Sequence, residues 1–294
     1  MDWQAELIDQ LGQRSRWGYV PDGPTFAEPA ALATVALSMH GQHTSAVKSA
    51  EALREAQNED GSVGIYAGQP RPGWPTGWAI IAWSRLAEDH PPFEAPMRAA
   101  VGWLLGLKGE VLQPNEISGH DVTLVGWPWV RGTHSWLEPT VMAVLALRTA
   151  GHRDHPRVLE AERLLLDRQL PGGGCNYGNT LVFGQKLLPH SQPTGMALMA
   201  LSTESLKRHR AVKQSVSYLE RQWPSLTGVA SRCYAALGLT AQGRVPPQLD
   251  ERCEQLFRHC QQRGYDSAYH LALLALAVTR QHPFEVGPSI QAVT

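Results

Sequence analysis

The side chains best suited to chemistry lie in one long polar segment, residues 108–137, and at the helix start that follows it. The segment combines acidic and imidazole groups, which can move protons, with aromatic rings and an arginine, which can hold a ligand. The predicted catalytic residues of this cluster are Asp121, His134 and Glu138. Its predicted binding residues are Trp127, Trp129, Arg131 and Trp136.

The same residues have a structural alternative. The tryptophans could fix a long loop to the framework, and Glu138, which precedes a proline at a helix start, could cap its own helix. Aromatic faces beside carboxylates would instead suit a reaction that passes through a cation, because a ring's negative face attracts positive charge.

Two further clusters precede predicted helices. Tyr177 follows Cys175 and a run of three glycines, while Tyr269 and His270 follow Asp266. We predict binding by the two tyrosines and catalysis by His270. Cys175, Asp266 and His270 are weak candidates for a zinc or magnesium site, since none has ligand spacing. A helix N-cap for Asp266 and an ordinary buried thiol for Cys175 are the alternatives.

One apolar segment type recurs and predicts the elements that position these groups. In four copies the first residue is followed by proline, and two weaker copies come later; the six segments are 28–37, 74–83, 138–147, 192–201, 229–237 and 266–274. Proline is well tolerated in the first turn of a helix, and a helix that is apolar on every side is buried all round. The pattern predicts six inner helices.

A second, amphipathic segment type alternates with the first, as in Val47, Ala50 and Leu53. The chain begins with such an outer segment over 2–14 and ends with an inner segment over 267–279. These two halves would complete each other as a sixth hairpin. We therefore predict an all-α (α/α)6 toroid that forms one domain over residues 1–294, with an open helical superhelix as the alternative.

Several outer segments end in glutamine followed by a glycine-rich turn, as in Gln57–Gly61 and Gln169–Gly173. This punctuation resembles the repeat of squalene and hopene cyclases and of protein prenyltransferase β subunits, which are α/α toroids. The stretches 126–129, 135–140 and 172–179 look like small bacterial members of the prenyltransferase and squalene oxidase repeat family. The resemblance implies an isoprenoid, or its diphosphate, as ligand and a helical protein as partner.

The chain departs from that family at its catalytic motifs. The Asp-x-Asp-Asp run that protonates an alkene in hopene cyclases does not occur in the sequence. Prenyltransferases hold zinc with Asp, Cys and His, and no carboxylate adjoins Cys175. Whether the protein is an enzyme is therefore left open. An active protein would be prenyltransferase-like or cyclase-like.

In such a toroid the long loops and the N-termini of the inner helices meet at one end. Helix N-termini favour anions, so a diphosphate could bind there with help from Arg71 and Arg131. Two other functions stay open. A glycan-acting barrel would need two facing carboxylates, from Asp121, Glu138 and Asp266, and a scaffold would need none. The cavity lining distinguishes these functions: it would be apolar for an isoprenoid, polar with paired acids for a glycan, and plugged for a scaffold.

Composition excludes other classes. Lys and Arg number 26 against 27 Asp and Glu, for a net charge of -1, which argues against nucleic-acid binding. The sequence has no run of 18 apolar residues and no signal-peptide pattern, so we expect no transmembrane segment. Four cysteines without a Cys-x-x-Cys motif favour a cytoplasmic location.

Overall fold

The computed structural model describes residues 2–113 and 118–284 and is almost entirely helical. Residues 114–117 of the predicted 108–137 segment lie outside the described residues, as do the two ends of the chain. The inner helices are α2 (Ala27–Met39), α4 (Thr76–Leu86), α6 (Leu137–Thr149), α8 (Ser191–Ala200), α11 (Val229–Ala241) and α13 (Ala268–Ala277).

The outer helices alternate with the inner ones along the chain. They are α1 (Trp3–Gly12), α3 (His43–Glu55), α5 (Glu94–Gly106), α7 (Pro156–Asp167), α10 (Arg210–Gln222) and α12 (Leu249–Arg263). The short helix α9 (Glu204–Lys207) precedes α10, and 3-10 turns cover Pro91–Phe93 and Trp223–Ser225. The strands β1 (Leu181–Val182) and β2 (Gln185–Lys186) form a small antiparallel hairpin in the loop before α8.

The inner helices form a closed ring. Each contacts the next in the order α2, α4, α6, α8, α11 and α13, and α13 returns to α2. Outer helix α1 packs against α13 and α12, so the first and last helices do complete one hairpin. The predicted (α/α)6 toroid is confirmed, and the open superhelix is excluded. That residues 1–294 form one domain stays a prediction.

Polar contacts reinforce this closure. Arg14, just after α1, forms an ion pair with Asp266, just before α13, at 2.7 Å between Nη2 and Oδ2. Glu6 of α1 accepts hydrogen bonds from Arg258 and Gln261 of α12. The carboxylate of Asp266, predicted as a metal ligand or a cap, thus joins the first and last helices. The cap of α13 is instead Ser267, whose hydroxyl accepts a hydrogen bond from the His270 N–H.

The inner helices pack closely because small residues occupy their contacts. An added Cβ on Gly195 of α8 would lie 2.1 Å from the carbonyl oxygen of Tyr234 on α11. Gly238 of α11 faces the Gly195 backbone in the same way, with its carbonyl oxygen 2.5 Å from an added Cβ. No side chain fits there, so glycine sets the spacing of these two helices.

A repeated threonine fastens the long loops to the ring. Thr76, Thr140 and Thr194 each follow a proline in the first turn of an inner helix. Their hydroxyls accept hydrogen bonds from the backbone N–H groups of Val63, Trp127 and Cys175, at 2.8, 3.0 and 3.0 Å respectively. The loops that carry the candidate site are therefore held at one end of the ring by the helices themselves.

The segment after α13 crosses the opposite end of the ring. The carbonyl oxygens of Pro283 and Phe284 accept hydrogen bonds from Arg85 near the end of α4 and Thr149 at the end of α6. The fully buried Phe284 ring packs on Trp78 with 5.1 Å between ring centroids. In the described part of the chain, this segment therefore covers the side of the ring opposite the long loops.

No helix in the described ranges is long and apolar enough to span a bilayer. The predicted cytoplasmic location stays a prediction.

Candidate active site at the mouth of the ring

Two glutamates occupy equivalent places at the mouth of the ring. Glu28 is the second residue of α2 and Glu138 the second residue of α6, and each is followed by proline. The helix dipole at an N-terminus stabilises a negative charge there, so both positions suit a carboxylate. Both side chains are partly buried and reached by solvent.

Both carboxyl groups nevertheless hold their protons more tightly than usual. Burial raises the pKa of Glu28 to about 7, against the opposing effect of hydrogen bonding from Tyr19 and the nearby Trp78 indole. Burial likewise raises the pKa of Glu138 to about 7, and the charge of Glu28 raises it further, whereas a hydrogen bond from Gln192 lowers it. Both carboxyl groups therefore titrate near neutral pH, and an ionised Glu28 disfavours ionisation of Glu138.

Hydroxyl and indole groups surround Glu28. The Tyr19 hydroxyl donates a hydrogen bond to Glu28 Oε2, and the Tyr19 ring lies 5.1 Å from that of Tyr269. Burial, followed by the charge of Glu28, raises the pKa of Tyr269. These tyrosines stay neutral at all ordinary pH values, so they can serve as hydrogen-bond donors beside the glutamates.

Two buried donors deeper in the site are poorly satisfied. Trp78 Nε1 and the Tyr234 hydroxyl, both 1% exposed, make no hydrogen bond of good geometry within the described part of the chain. The Trp78 indole is close enough to lower the pKa of Glu28, and the Tyr234 hydroxyl approaches Tyr269. A buried donor without a well-placed partner is costly, and an oxygen-rich ligand would relieve that cost.

Several predicted site residues lie at this mouth. Glu138 and Tyr269 belong to it directly. Tyr177 is 42% exposed, and its pKa is raised by burial and then by the charge of Glu138. Trp129 lies behind Trp74, the residue just before Pro75 of α4, and the two rings meet edge-on with 5.2 Å between their centroids. The structure thus brings together residues from the three separate sequence clusters.

Other predicted residues lie elsewhere. Asp121 is exposed at the outer rim, where its carboxylate accepts hydrogen bonds from the N–H and hydroxyl of Thr123, and these lower its pKa. Its backbone N–H donates to Asp167, the last residue of outer helix α7. Asp121 is therefore a turn-forming residue at a distance from the inner helices.

His134, Trp136 and Trp127 have packing partners of their own. The rings of His134 and Trp136 lie 4.6 Å apart, and burial lowers the pKa of His134. Trp127 is 1% exposed, and its indole N–H donates to the carbonyl oxygen of Leu104. The guanidinium of Arg157 covers its ring at 4.1 Å, so this ring is not open to a ligand.

The weak metal candidates do not converge. His270 Nδ1 is 2.7 Å from the carbonyl oxygen of Tyr265, and Asp266 is paired with Arg14. Cys175 is fully buried, and burial raises its pKa to about 12, so it is a neutral thiol at neutral pH. Within residues 2–113 and 118–284, no three His, Cys, Asp or Glu side chains are grouped to hold a metal ion.

Sequence reasoning overlooked the partner of Glu138. Glu28 holds the same repeat position as Glu138, immediately before the proline of an inner helix, and that register was the available signal. Tyr19 had no such signal, because it precedes α2 in an irregular loop and reaches Glu28 only through the tertiary fold.

A cleft of about 510 Å³ opens beside the mouth, between the loops 58–74 and 108–137. The predicted binding residues Arg71, Trp129 and Arg131 line it, together with Trp103 and Asp60. A second cleft of about 340 Å³, which His120 and His134 line, lies farther around the rim. Burial lowers the pKa of His120 to about 4, so this imidazole is neutral at physiological pH.

The six-hairpin ring, with its loops and acidic groups at one mouth, places the chain among (α/α)6 barrels. Two solved structures share this fold over nearly the whole chain. One is an α-1,6-mannanase of Salegentibacter sp. HEL1_6, an inactive variant with two aspartates changed to asparagine, in complex with α-1,6-mannotriose. It covers 94% of this chain and 99% of its own, with a TM-score of 0.58 and 11% identity.

The other is an α-amylase from Clostridium perfringens. It covers 95% of this chain and 96% of its own, with a TM-score of 0.54 and 9% identity. No protein-family model matches the sequence, and no curated protein matches it. Identities this low show a common fold and nothing finer.

These findings correct the resemblance to terpenoid cyclases and prenyltransferases. The two solved structures described above are a mannanase and an amylase, and one of them holds a mannotriose. The expected isoprenoid ligand, its diphosphate and the helical partner protein implied by the same resemblance were wrong.

The motif behind that resemblance, a glutamine followed by a glycine-rich turn, has a structural cause. Gln57 Nε2 donates to the carbonyl oxygens of Gly61 and Pro96 and so joins a loop to an outer helix. Gln169 Oε1 accepts from the hydroxyl of Ser215 on the next outer helix. The motif stabilises a ring of helix pairs, whatever ligand the ring holds.

Proposed function

We propose that this protein is a glycoside hydrolase that cleaves a glycosidic bond between Glu28 and Glu138. The observation that carries the proposal is the pair of partly buried glutamates, both with pKa raised to about 7, at the mouth of the ring. A polar lining with paired acids is what a glycan-acting barrel requires, and the similar fold of a mannanase and an amylase supports the same conclusion.

The chemistry follows from the raised pKa values of the two carboxyl groups. Near neutral pH one carboxyl group is protonated and can donate to the departing glycosidic oxygen. The other is ionised and can either activate water or attack the anomeric carbon. Glu138 is the better acid candidate, because burial and the charge of Glu28 both favour its protonated form. The Tyr19 hydroxyl bonded to Glu28 favours the ionised form of that group.

The surrounding groups suit a sugar. The poorly satisfied donors Trp78 Nε1 and Tyr234 OH can bond to sugar oxygens, and the faces of Tyr19 and Tyr269 can pack on the apolar face of a sugar ring. The floor beneath them is filled by Trp78 and Phe284, so a sugar would enter from the loop end.

The test is hydrolysis of a panel of α-1,6-manno-oligosaccharides and α-linked gluco-oligosaccharides by wild-type protein, Glu28→Gln and Glu138→Gln. Removal of a catalytic carboxyl should lower kcat by about a hundredfold or more, because general acid–base catalysis contributes that much. The matched control is Glu94→Gln, since Glu94 lies on outer helix α5 and pairs only with Arg98. Loss of activity no greater in the two site variants than in the control would overturn the proposal, as would a wild type that neither binds nor cleaves any member of the panel.

A further inference from the structure

The cleft beside the mouth has the size and lining of a ligand site. Its volume of about 510 Å³ lies within the range of small-molecule sites. The side chains of Trp103 and Trp129 form apolar walls and are only partly buried. Polar side chains of Asn58, Glu59, Asp60, Ser62, Arg71 and Arg131 line the cleft beside further apolar residues, among them Pro70, Pro72, Leu107 and Val130.

One aromatic contact connects the cleft with the ring of inner helices. Trp129, which lines the cleft, contacts Trp74 edge-on. Trp74 immediately precedes Pro75 and so has the repeat position that Glu28 and Glu138 have on their own helices. A ligand that extended from the glutamates over α4 would therefore pass Trp74 and meet the ring of Trp129.

The charges of the cleft balance. Arg71 and Arg131 are exposed and face two carboxylates, Glu59 and Asp60. The Asp60 carboxylate is engaged, since it accepts from the Ser62 N–H and hydroxyl and from the Trp103 indole N–H at 3.1 Å. None of these four charged groups forms an ion pair within 4.0 Å in the described ranges.

A cleft with two cations, two anions and two indole rings fits a neutral, hydroxyl-rich ligand with an apolar face. Guanidinium groups without a carboxylate partner can donate paired hydrogen bonds to neighbouring hydroxyls. An anionic ligand would meet Glu59 and Asp60, and a purely apolar one would strip water from four charged groups.

We propose that this cleft, between the loops 58–74 and 108–137, binds further neutral sugar units of a chain whose scissile bond lies at Glu28 and Glu138. The inference rests on the proposed function and adds to it that the substrate is a neutral oligosaccharide rather than a single glycoside. Trp129 supplies the stacking surface, and Arg71 and Arg131 bond to hydroxyl groups.

The test compares ligands of one to five neutral sugar units of the linkage that the wild type accepts. Binding is measured by calorimetry to Glu138→Gln, and KM is measured for the wild type. We expect affinity to rise at least tenfold with length and then level off. In Trp129→Ala and Arg131→Ala, the ratio of long-chain to short-chain affinity should fall to within about twofold.

Two controls keep the outcomes separate. Phe183→Ala removes an aromatic ring that is 96% exposed and lies in the other cleft, so it should keep the length dependence. Arg131 is exposed, so Arg131→Ala should fold even if Trp129→Ala does not. Glutamate-dependent hydrolysis with no effect of length or of Arg131 would overturn the cleft assignment alone. Failure of the wild type to bind or cleave any length would overturn the proposed function with it.

Discussion

Replacement of Glu138 by glutamine should make the folded protein more stable at high pH. Burial holds the pKa of this carboxyl at about 7 in the folded state, against 4.5 for the unperturbed group. Between these values the folded protein keeps a proton that the unfolded chain has lost, so stability falls as pH rises from about 4.5 to about 7 and is level above that. Glutamine keeps the shape and can still accept from Gln192, and it has no proton to lose.

The size of the effect follows from the shift. A rise of about 2.5 pKa units corresponds to about 3.4 kcal/mol at 1.36 kcal/mol per unit. Glu138 is partly open to solvent, which screens the penalty, so we expect about 2 kcal/mol. Unfolding entropy of about 2.1 cal/mol/K per residue over 294 residues converts this to a rise in Tm of about 3 °C.

The assay is thermal and urea unfolding of the wild type and Glu138→Gln between pH 4 and pH 9. The two curves should coincide below pH 4.5, diverge through neutrality and run parallel above pH 7. Glu94→Gln, which replaces an exposed carboxylate, should follow the wild type throughout. A Glu138→Gln curve that runs parallel to the wild type over the whole range would refute the raised pKa of Glu138, and with it the protonated acid at neutral pH on which the proposed chemistry depends.

Two further predictions concern the ring itself. Gly195→Ala should lower the free energy of unfolding by about 1–3 kcal/mol, because its new methyl group would overlap the Tyr234 backbone. Urea denaturation would measure this change, and an unchanged midpoint would contradict the packing argument. Asp266→Asn should remove the nearer of the two carboxylates that Arg14 pairs with, leave only the exposed Asp22 at 3.7 Å, and cost about 2 kcal/mol. Hydrogen exchange should then speed up in α1 more than in α7, and equal protection of both helices would contradict a closing role for this ion pair.

The sequence predicted the fold well because the fold depends on repeated local signals. The predicted terminal segments 2–14 and 267–279 contain α1 (Trp3–Gly12) and α13 (Ala268–Ala277). Apolar periodicity acts over a few residues and recurs in every unit, and proline in the first turn recurs in four of the six, so the copies support one another.

The site was only partly predictable, since its residues meet through long-range packing. The segment 282–284 closes the far end of the ring by contacts with three inner helices, and nothing in its composition indicates this path. Asp121 looked equivalent to Glu138 as an acid near tryptophans. In the structure, however, its loop turns outward over α7, and its carboxylate is used in a local turn with Thr123.

The repeat that revealed the fold also contains the site, but at a position the fold does not constrain. The four clear copies share a proline in the first turn and alanine-rich apolar residues after it, and three of the four add a threonine that holds the loop. The residue before the proline points to the mouth and is free to vary, and it is Glu28, Trp74, Glu138 and Gln192 in the four clear copies. Features that the clear copies share, such as the proline, report on packing, whereas the varied residue before the proline is the one that lies at the proposed site. The isoprenoid resemblance was built on the shared features, and for that reason it could identify the ring and not its substrate.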